Sequence, residues 1–228
     1  MALYHFHVSR VLRSRGQSSV ESAAYRAGER LEDRYYGKIA DYTAKGGVIC
    51  SEILAPNYVP EPFHNREYLW NTVEEIEKHP KAQLAYSFDF ALQNEFSLEE
   101  NITIARQFVL ENFVAKGMIV DMAIHDPDKG EGIPNPHVHV MCPIRPMNED
   151  GTWEEKQKRE YLFDLDGNPI FDDYGKQKFN AVSTTDWNRP EVLEQWRKAW
   201  ADLVNSEFEK RGMESRIDHR SYAEQGVD

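Results

Sequence analysis

Asn135-Pro136-His137-Val138-His139-Val140 decides how this chain reads. Side chains two apart on a strand point the same way. His137 and His139 are therefore neighbours on one face, with Val138 and Val140 on the other. Upstream, Met118 to Asp126 also reads as a strand and carries His125 near its end. The loop Asp126-Pro127-Asp128-Lys129-Gly130-Glu131-Gly132-Ile133-Pro134 joins the two. Folding them back to back sets His125 opposite His137, and three imidazoles converge as a metal site needs. Val120, Met122 and Ile124 join Val138 and Val140 on a core face. Asp121 shares the histidine face.

The segment Leu84 to Leu92 extends this pattern. Leu84, Tyr86, Phe88, Phe90 and Leu92 share one large apolar face. Ala85, Ser87, Asp89 and Ala91 share the other, which is small and holds a single acid. Ala2 to Val11 alternates too, with Tyr4, Phe6 and Val8 opposite His5 and His7. His5 and His7 read as strand residues that line the site without ligating. Shorter strands are expected at Ile39–Tyr42 and Val48–Leu54.

Helices punctuate these strands. Ser18 and Glu21 have capping-box spacing, so a helix is expected from about Ser19 to Leu31. Its body, Ser22-Ala23-Ala24-Tyr25-Arg26-Ala27-Gly28, is rich in small residues that permit close approach. A second helix spans about Asn65 to His79, stopped by Pro80. A third follows Ser97 and ends near Gly117. A fourth runs from Pro190 to Arg211, with Gly212 ending it. Between them, 148–187 reads as an excursion from the main fold, with a hairpin turning at Asp166-Gly167. No internal repeat is apparent. The expected fold is α+β: a two-layer sandwich with a central antiparallel sheet, helices packed on one face and the histidines on the open face.

Composition narrows the function. At 228 residues the chain can bury a sizeable core. No apolar run approaches the roughly 18–20 residues of a membrane span, and the N-terminus lacks a signal-peptide apolar region. A cytoplasmic protein without membrane insertion is expected. Cys50 and Cys142 make no disulfide framework, and neither sits at zinc-finger spacing from the histidines, so any metal site here is built from imidazole. Net charge is −12, which argues against non-specific nucleic-acid binding over the whole surface. Residues 1–47 nonetheless hold eight Lys and Arg against five acids, or +3, and subtracting this from −12 leaves −15 for the remainder. A local polyanion site suits this asymmetry; so does a solvated face with scattered arginines.

Three neutral imidazoles leave coordination positions free for Lewis-acid chemistry or water activation. Tyr25 sits among small residues, with Arg26 and Arg30 on its own stretch. A phenol, with a pKa of about 10, is a poor nucleophile unaided; beside a metal-bound phosphate it becomes a plausible one.

The ordered motifs Tyr4-His5-Phe6, Gly16-Gln17-Ser18, Ala23-Ala24-Tyr25-Arg26-Ala27-Gly28, Asp41-Tyr42 and Ser51-Glu52-Ile53-Leu54-Ala55-Pro56 run on into Arg66-Glu67-Tyr68-Leu69-Trp70 and Ala82-Gln83-Leu84-Ala85. They end with Ile124-His125, Asn135-Pro136-His137-Val138-His139 and Ile217-Asp218-His219-Arg220-Ser221-Tyr222. Together they resemble the relaxase domain of the MobA/MobL family of plasmid mobilisation proteins, in the His-hydrophobic-His endonuclease superfamily. The resemblance spans essentially the whole chain. It departs where Tyr86-Ser87 replaces the family's usual Arg-Glu, and Leu92-Gln93 its Leu-Pro.

The resemblance implies a single relaxase domain over 1–228, consistent with the N-terminal part of a longer protein. It implies nicking of one DNA strand at an origin of transfer. Tyr25 would attack and form a 5′-phosphotyrosine. One divalent ion, manganese or magnesium (zinc and nickel also suit imidazole), would be held by His125, His137 and His139. Asp89 would orient a histidine or help deprotonate the tyrosine. Single-stranded DNA is the implied partner, with accessory relaxosome proteins and a coupling protein. Arg10, Arg13, Arg15, Arg26 and Arg30 are the candidate DNA contacts; ordinary surface charge is the other reading of them. Two rival functions stay open: a metal-dependent phosphodiester hydrolase with a structural tyrosine, and a non-catalytic DNA-binding protein whose metal holds the sheet together.

Overall fold

Alternation builds the sheet, and caps end the helices. The computed structural model describes residues 2–126, 134–220 and 222–226. The loop expected between the two histidine strands, at 127–133, lies outside the described residues. In chain order the elements are β1 (Phe6–Leu12), α1 (Ser19–Ala27), β2 (Arg30–Asp33), β3 (Lys38–Asp41), β4 (Val48–Leu54), α2 (Arg66–Ile76) and β5 (Gln83–Ala91). There follow α3 (Leu98–Asn112), β6 (Val120–His125), β7 (His137–Pro143), β8 (Gln157–Tyr161), β9 (Phe179–Ser183), α4 (Pro190–Lys210) and α5 (Tyr222–Gln225).

Five strands form one antiparallel sheet in the order β1-β5-β7-β6-β4. Its register sets the site. His125 pairs with His137, His139 with Asp89, and Asp89 in turn with His7. The large apolar face carries Phe6, Phe88, Phe90, Met122, Ile124, Val138 and Val140. It packs against Phe108 of α3 and Trp196, Trp200 and Phe208 of α4.

The opposite face is open only at its histidine end. Towards the other end, Val20, Ala23 and Ala24 of α1 and Leu69, Trp70 and Val73 of α2 cluster with Ala85, Ile119 and Met141. Small side chains on that face do not signal solvent: Ala85 and Ser87 are buried because their size lets helices come close. Asp121, expected beside the histidines, is buried under α2. Arg66 Nε and Nη2 donate to its carboxylate at 2.9–3.0 Å, and Trp70 Nε1 at 2.8 Å. A bulge moves Leu84 as well. Val11 pairs with Ala85 but Leu12 with Gln83, so Leu84 is the extra residue and packs in the α1–α2 cluster rather than beside Tyr86.

Helix α1 ends four residues short of the expected Leu31. Gly28 has φ 66° and its N–H bonds the Ala24 carbonyl. This left-handed cap lets the chain turn into β2, where Leu31 is buried. The ribbon after β8 forms a sheet of its own with β9. Where no repeat was apparent, it holds two similar turns, 163–170 and 171–178. Each opens Phe-Asp and has glycine at its fifth position. Asp164 accepts from the N–H groups of Asp166 and Asn168, and Asp172 likewise from Tyr174 and Lys176. Backbone bonds from Leu162 to Lys178, Lys178 to Ile170 and Ile170 to Leu162 close a ring around them.

Candidate metal centre and nucleophile

His125 ends β6, and His137 and His139 open β7. Their ring centroids lie 4.5 Å (125–139), 4.7 Å (137–139) and 5.6 Å (125–137) apart. One nitrogen from each falls within 4.8 Å of the others. The second nitrogens are engaged. His139 Nδ1 bonds the Asp89 carboxylate, His137 Nδ1 the Asn135 carbonyl at 2.8 Å, and His125 Nε2 the Arg26 carbonyl at 2.5 Å. These oxygens accept, so those three ring nitrogens donate. The cluster so held offers one ligand nitrogen from each ring. That donor set fits a divalent ion.

The electrostatics agree. Burial foremost pushes His125 down to about 4; the Arg26 carbonyl opposes this, and His139, Lys45 and His137 add to it. A neutral imidazole offers a metal its lone pair without proton competition. Burial alone would raise the Asp89 carboxyl, but the bond to His139 and the charges of His139, Arg26 and His7 outweigh it and hold it below the usual range. Asp89 is thus an ionised orienter of His139.

Tyr25 lies in the last turn of α1, with half its surface exposed. Its ring meets Tyr42 edge-on at 5.3 Å. Lys45 Nζ sits 3.8 Å from the Tyr25 ring centroid and donates to the Tyr25 carbonyl at 2.8 Å. The next residue, Arg26, supplies the carbonyl that holds His125. The turn that presents the phenol is therefore docked on the histidine cluster.

The arginines do not form one patch. Arg13 is buried, its guanidinium engaged by Glu74 and the carbonyls of Glu77 and His79. Arg10 pairs in register with Tyr86 and lies over its ring, on the α3–α4 face. Arg26 reaches inward to Ser87 Oγ at 2.9 Å and to the Ser22 carbonyl at 3.0 Å. Arg30 stands 3.7 Å from Asp41, and Arg15 is exposed beside Gly16. Burial and prior partners remove Arg13 and Arg26 from a surface grip, and the sheet itself separates Arg10 from the histidines. His5 and His7 are exposed, stacked at 6.4 Å, and divided from the trio by β5. A cavity of about 520 Å³ runs from His5 past Asp89 to His137 and His139. Sequence reasoning passed over Lys45: twenty positions from Tyr25, within a Lys-Gly-Gly loop, it carries no local signal.

The model of the MobA/MobL family matches residues 17–228. The chain is 35% identical over 240 residues to the probable conjugal transfer protein TraA of Sinorhizobium fredii, covering 100% of this chain and 20% of that protein. It is 32% identical over 243 residues to the probable mobilization protein MobA of Bifidobacterium longum, covering 100% of this chain and 42% of that one. The chain thus spans about 20% of the length of the TraA relatives. In three dimensions it is similar to a solved structure described as the molecular basis of vancomycin resistance transfer in Staphylococcus aureus. The TM-score is 0.80 and the identity 33%, over 97% of this chain and 100% of that one.

Proposed function

The chain belongs to the MobA/MobL family, and from that premise we propose that it is a relaxase, nicking one DNA strand at an origin of transfer and rejoining it. The observation that carries this reading is the hydrogen bond from His125 to the carbonyl of Arg26, the residue after Tyr25. It ties the turn bearing the nucleophile to the histidines that would hold the ion.

In the proposed reaction Tyr25 Oη attacks the scissile phosphorus. The new phosphotyrosine bond joins the protein to the 5′ end, and the bond from phosphorus to the 3′ oxygen breaks. The phenol gives up its proton through water, and the 3′ oxygen takes one up. One phosphoester bond replaces another, so the step reverses and closes the transferred strand. A divalent ion on His125, His137 and His139, manganese or magnesium, would polarise a non-bridging phosphate oxygen when bound. Asp89 fixes the ring of His139 through Nδ1 and keeps Nε2 turned to the site. The single-stranded substrate would follow the accessible end of the histidine face, where the cavity between His5 and His137 gives it room. We read residues 1–228 as one nicking unit, with 148–187 as an insertion. Its setting would be the bacterial cytoplasm, with accessory relaxosome proteins and a coupling protein; among the described residues no helix is long and apolar enough to cross a membrane.

The test is a labelled single-stranded oligonucleotide spanning the transfer origin, incubated with the protein and manganese or magnesium and run on a denaturing gel. A protein-linked band lost in Tyr25→Phe is expected. Cleavage that survives Tyr25→Phe without an adduct would indicate a metal-dependent hydrolase. Binding without cleavage under either metal would indicate a DNA-binding protein, and cleavage unaffected by a chelator would remove the metal from the reaction.

A further inference from the structure

We propose that Lys45 is a second cation of the reacting centre, which pins the Tyr25 ring and clamps the phosphate that Tyr25 attacks. The proposal rests on the relaxase reading and adds a residue to it.

The placement of Lys45 is built rather than incidental. Its loop is tied at both ends. Lys45 N–H donates to the Tyr42 carbonyl at 2.9 Å, and Tyr42 N–H to the Glu29 carbonyl at 3.1 Å, which fastens one side just past the end of α1. On the other side Asp126 N–H, next to His125, donates to the Gly47 carbonyl at 2.9 Å. Lys45 is therefore held between the nucleophile's helix and the strand of a metal-binding histidine. Its ammonium lies over the Tyr25 ring and bonds that residue's carbonyl. An ammonium has three N–H donors, so this single bond leaves others for a ligand.

Charge argues for an anion there. Among the described residues no carboxylate is ion-paired with Lys45. Its charged neighbours are cationic: burial first, then Arg26, push Lys45 below the usual lysine range, and the charge of Lys45 in turn helps lower His125. Asp89, the carboxylate bonded within the histidine cluster, is already engaged by His139. A half-buried ammonium beside a guanidinium and a divalent-ion site, with no ion-paired carboxylate among the described residues, is satisfied by a phosphate. Lysine serves phosphates as a point charge. In phosphoryl transfer, charge spreads over the equatorial oxygens, where a cation opposite the ion stabilises it. Capping the last carbonyls of α1 is the simpler role for a lysine at a helix end; it predicts lost stability and unchanged chemistry.

The experiment uses the full chain with Lys45→Met and Lys45→Arg. It measures single-turnover adduct formation, affinity for the uncleaved oligonucleotide, thermal unfolding, and manganese affinity without DNA. In Lys45→Met, adduct formation is expected to slow by on the order of 100-fold while oligonucleotide affinity changes by less than about threefold. Lys45→Arg should recover much of the rate. Manganese should bind Lys45→Met more tightly, because a neighbouring positive charge has gone. Adduct formation near the wild-type rate, or a loss confined to DNA affinity, overturns the clamp. Should the wild type form no Tyr25 adduct, the relaxase reading fails by itself. The manganese arm then decides whether Lys45 faces the ion, and unchanged affinity overturns the proposal.

Discussion

His139 shows what a single residue needs to become a candidate metal ligand. Its neighbour two positions back is dictated by strand alternation, but its tautomer is set by Asp89, fifty positions away, through Nδ1. Asp89→Ala should therefore weaken manganese binding by about 10–100-fold, read by calorimetric titration. Asp89→Asn keeps an acceptor for Nδ1 and should lose less. Equal affinity in wild type and Asp89→Ala would show that the carboxylate does not orient the ring. The strand pattern made Asp89 and the three histidines legible as one cluster, since period two and a hairpin are local rules. The arginines were not legible in the same way. Nothing near Arg13 in the chain announces Glu74, and nothing near Arg26 announces Ser87. A positive charge read from sequence is exposed only if no distant acceptor claims it.

Helix α1 is the element on which the site turns. Ser18 Oγ caps it by accepting from Glu21 N–H at 3.1 Å and donates to Asp33 at 2.6 Å. At its other end Gly28 takes the left-handed conformation, and a Cβ there would come within 3.2 Å of Val48 Cγ2. Gly28→Ala should cost about 1–2 kcal/mol in the left-handed region, seen as a lower urea midpoint. It should also slow Tyr25 adduct formation, because the Arg26 carbonyl moves with that turn. A variant as stable and as fast as wild type would mean the cap is not coupled to the site. The start of α1 was legible because a capping box is a four-residue signal. Its end was not: Gly28 sits inside a run that could continue as helix to Leu31, and only the pairing of β2 with β3 and the contact with Val48 select the turn.

Across the whole molecule, the sheet separates two apolar clusters, one under α3 and α4 and one under α1 and α2. The ribbon after β8 belongs to neither. Gln157 pairs directly with Ser183 at its base, so 158–182 is replaceable by a short glycine-serine turn. The shortened protein should keep its cooperative unfolding, with stability within about 1 kcal/mol of the parent, and its manganese affinity; loss of the cooperative transition would show the ribbon to be part of the core. By itself the sequence determined the histidine hairpin, the strand faces other than at Leu84, the capped helix starts and the resemblance to the MobA/MobL family. Those follow from periodicity, from caps a few residues long, and from motif order. The tertiary structure decided that α1 and α2 cover half of the site face, that Arg13 and Arg26 are drawn inward, and that Lys45 stands over Tyr25. Each of these depends on partners brought together only when the sheet and helices pack, so no local pattern carries them.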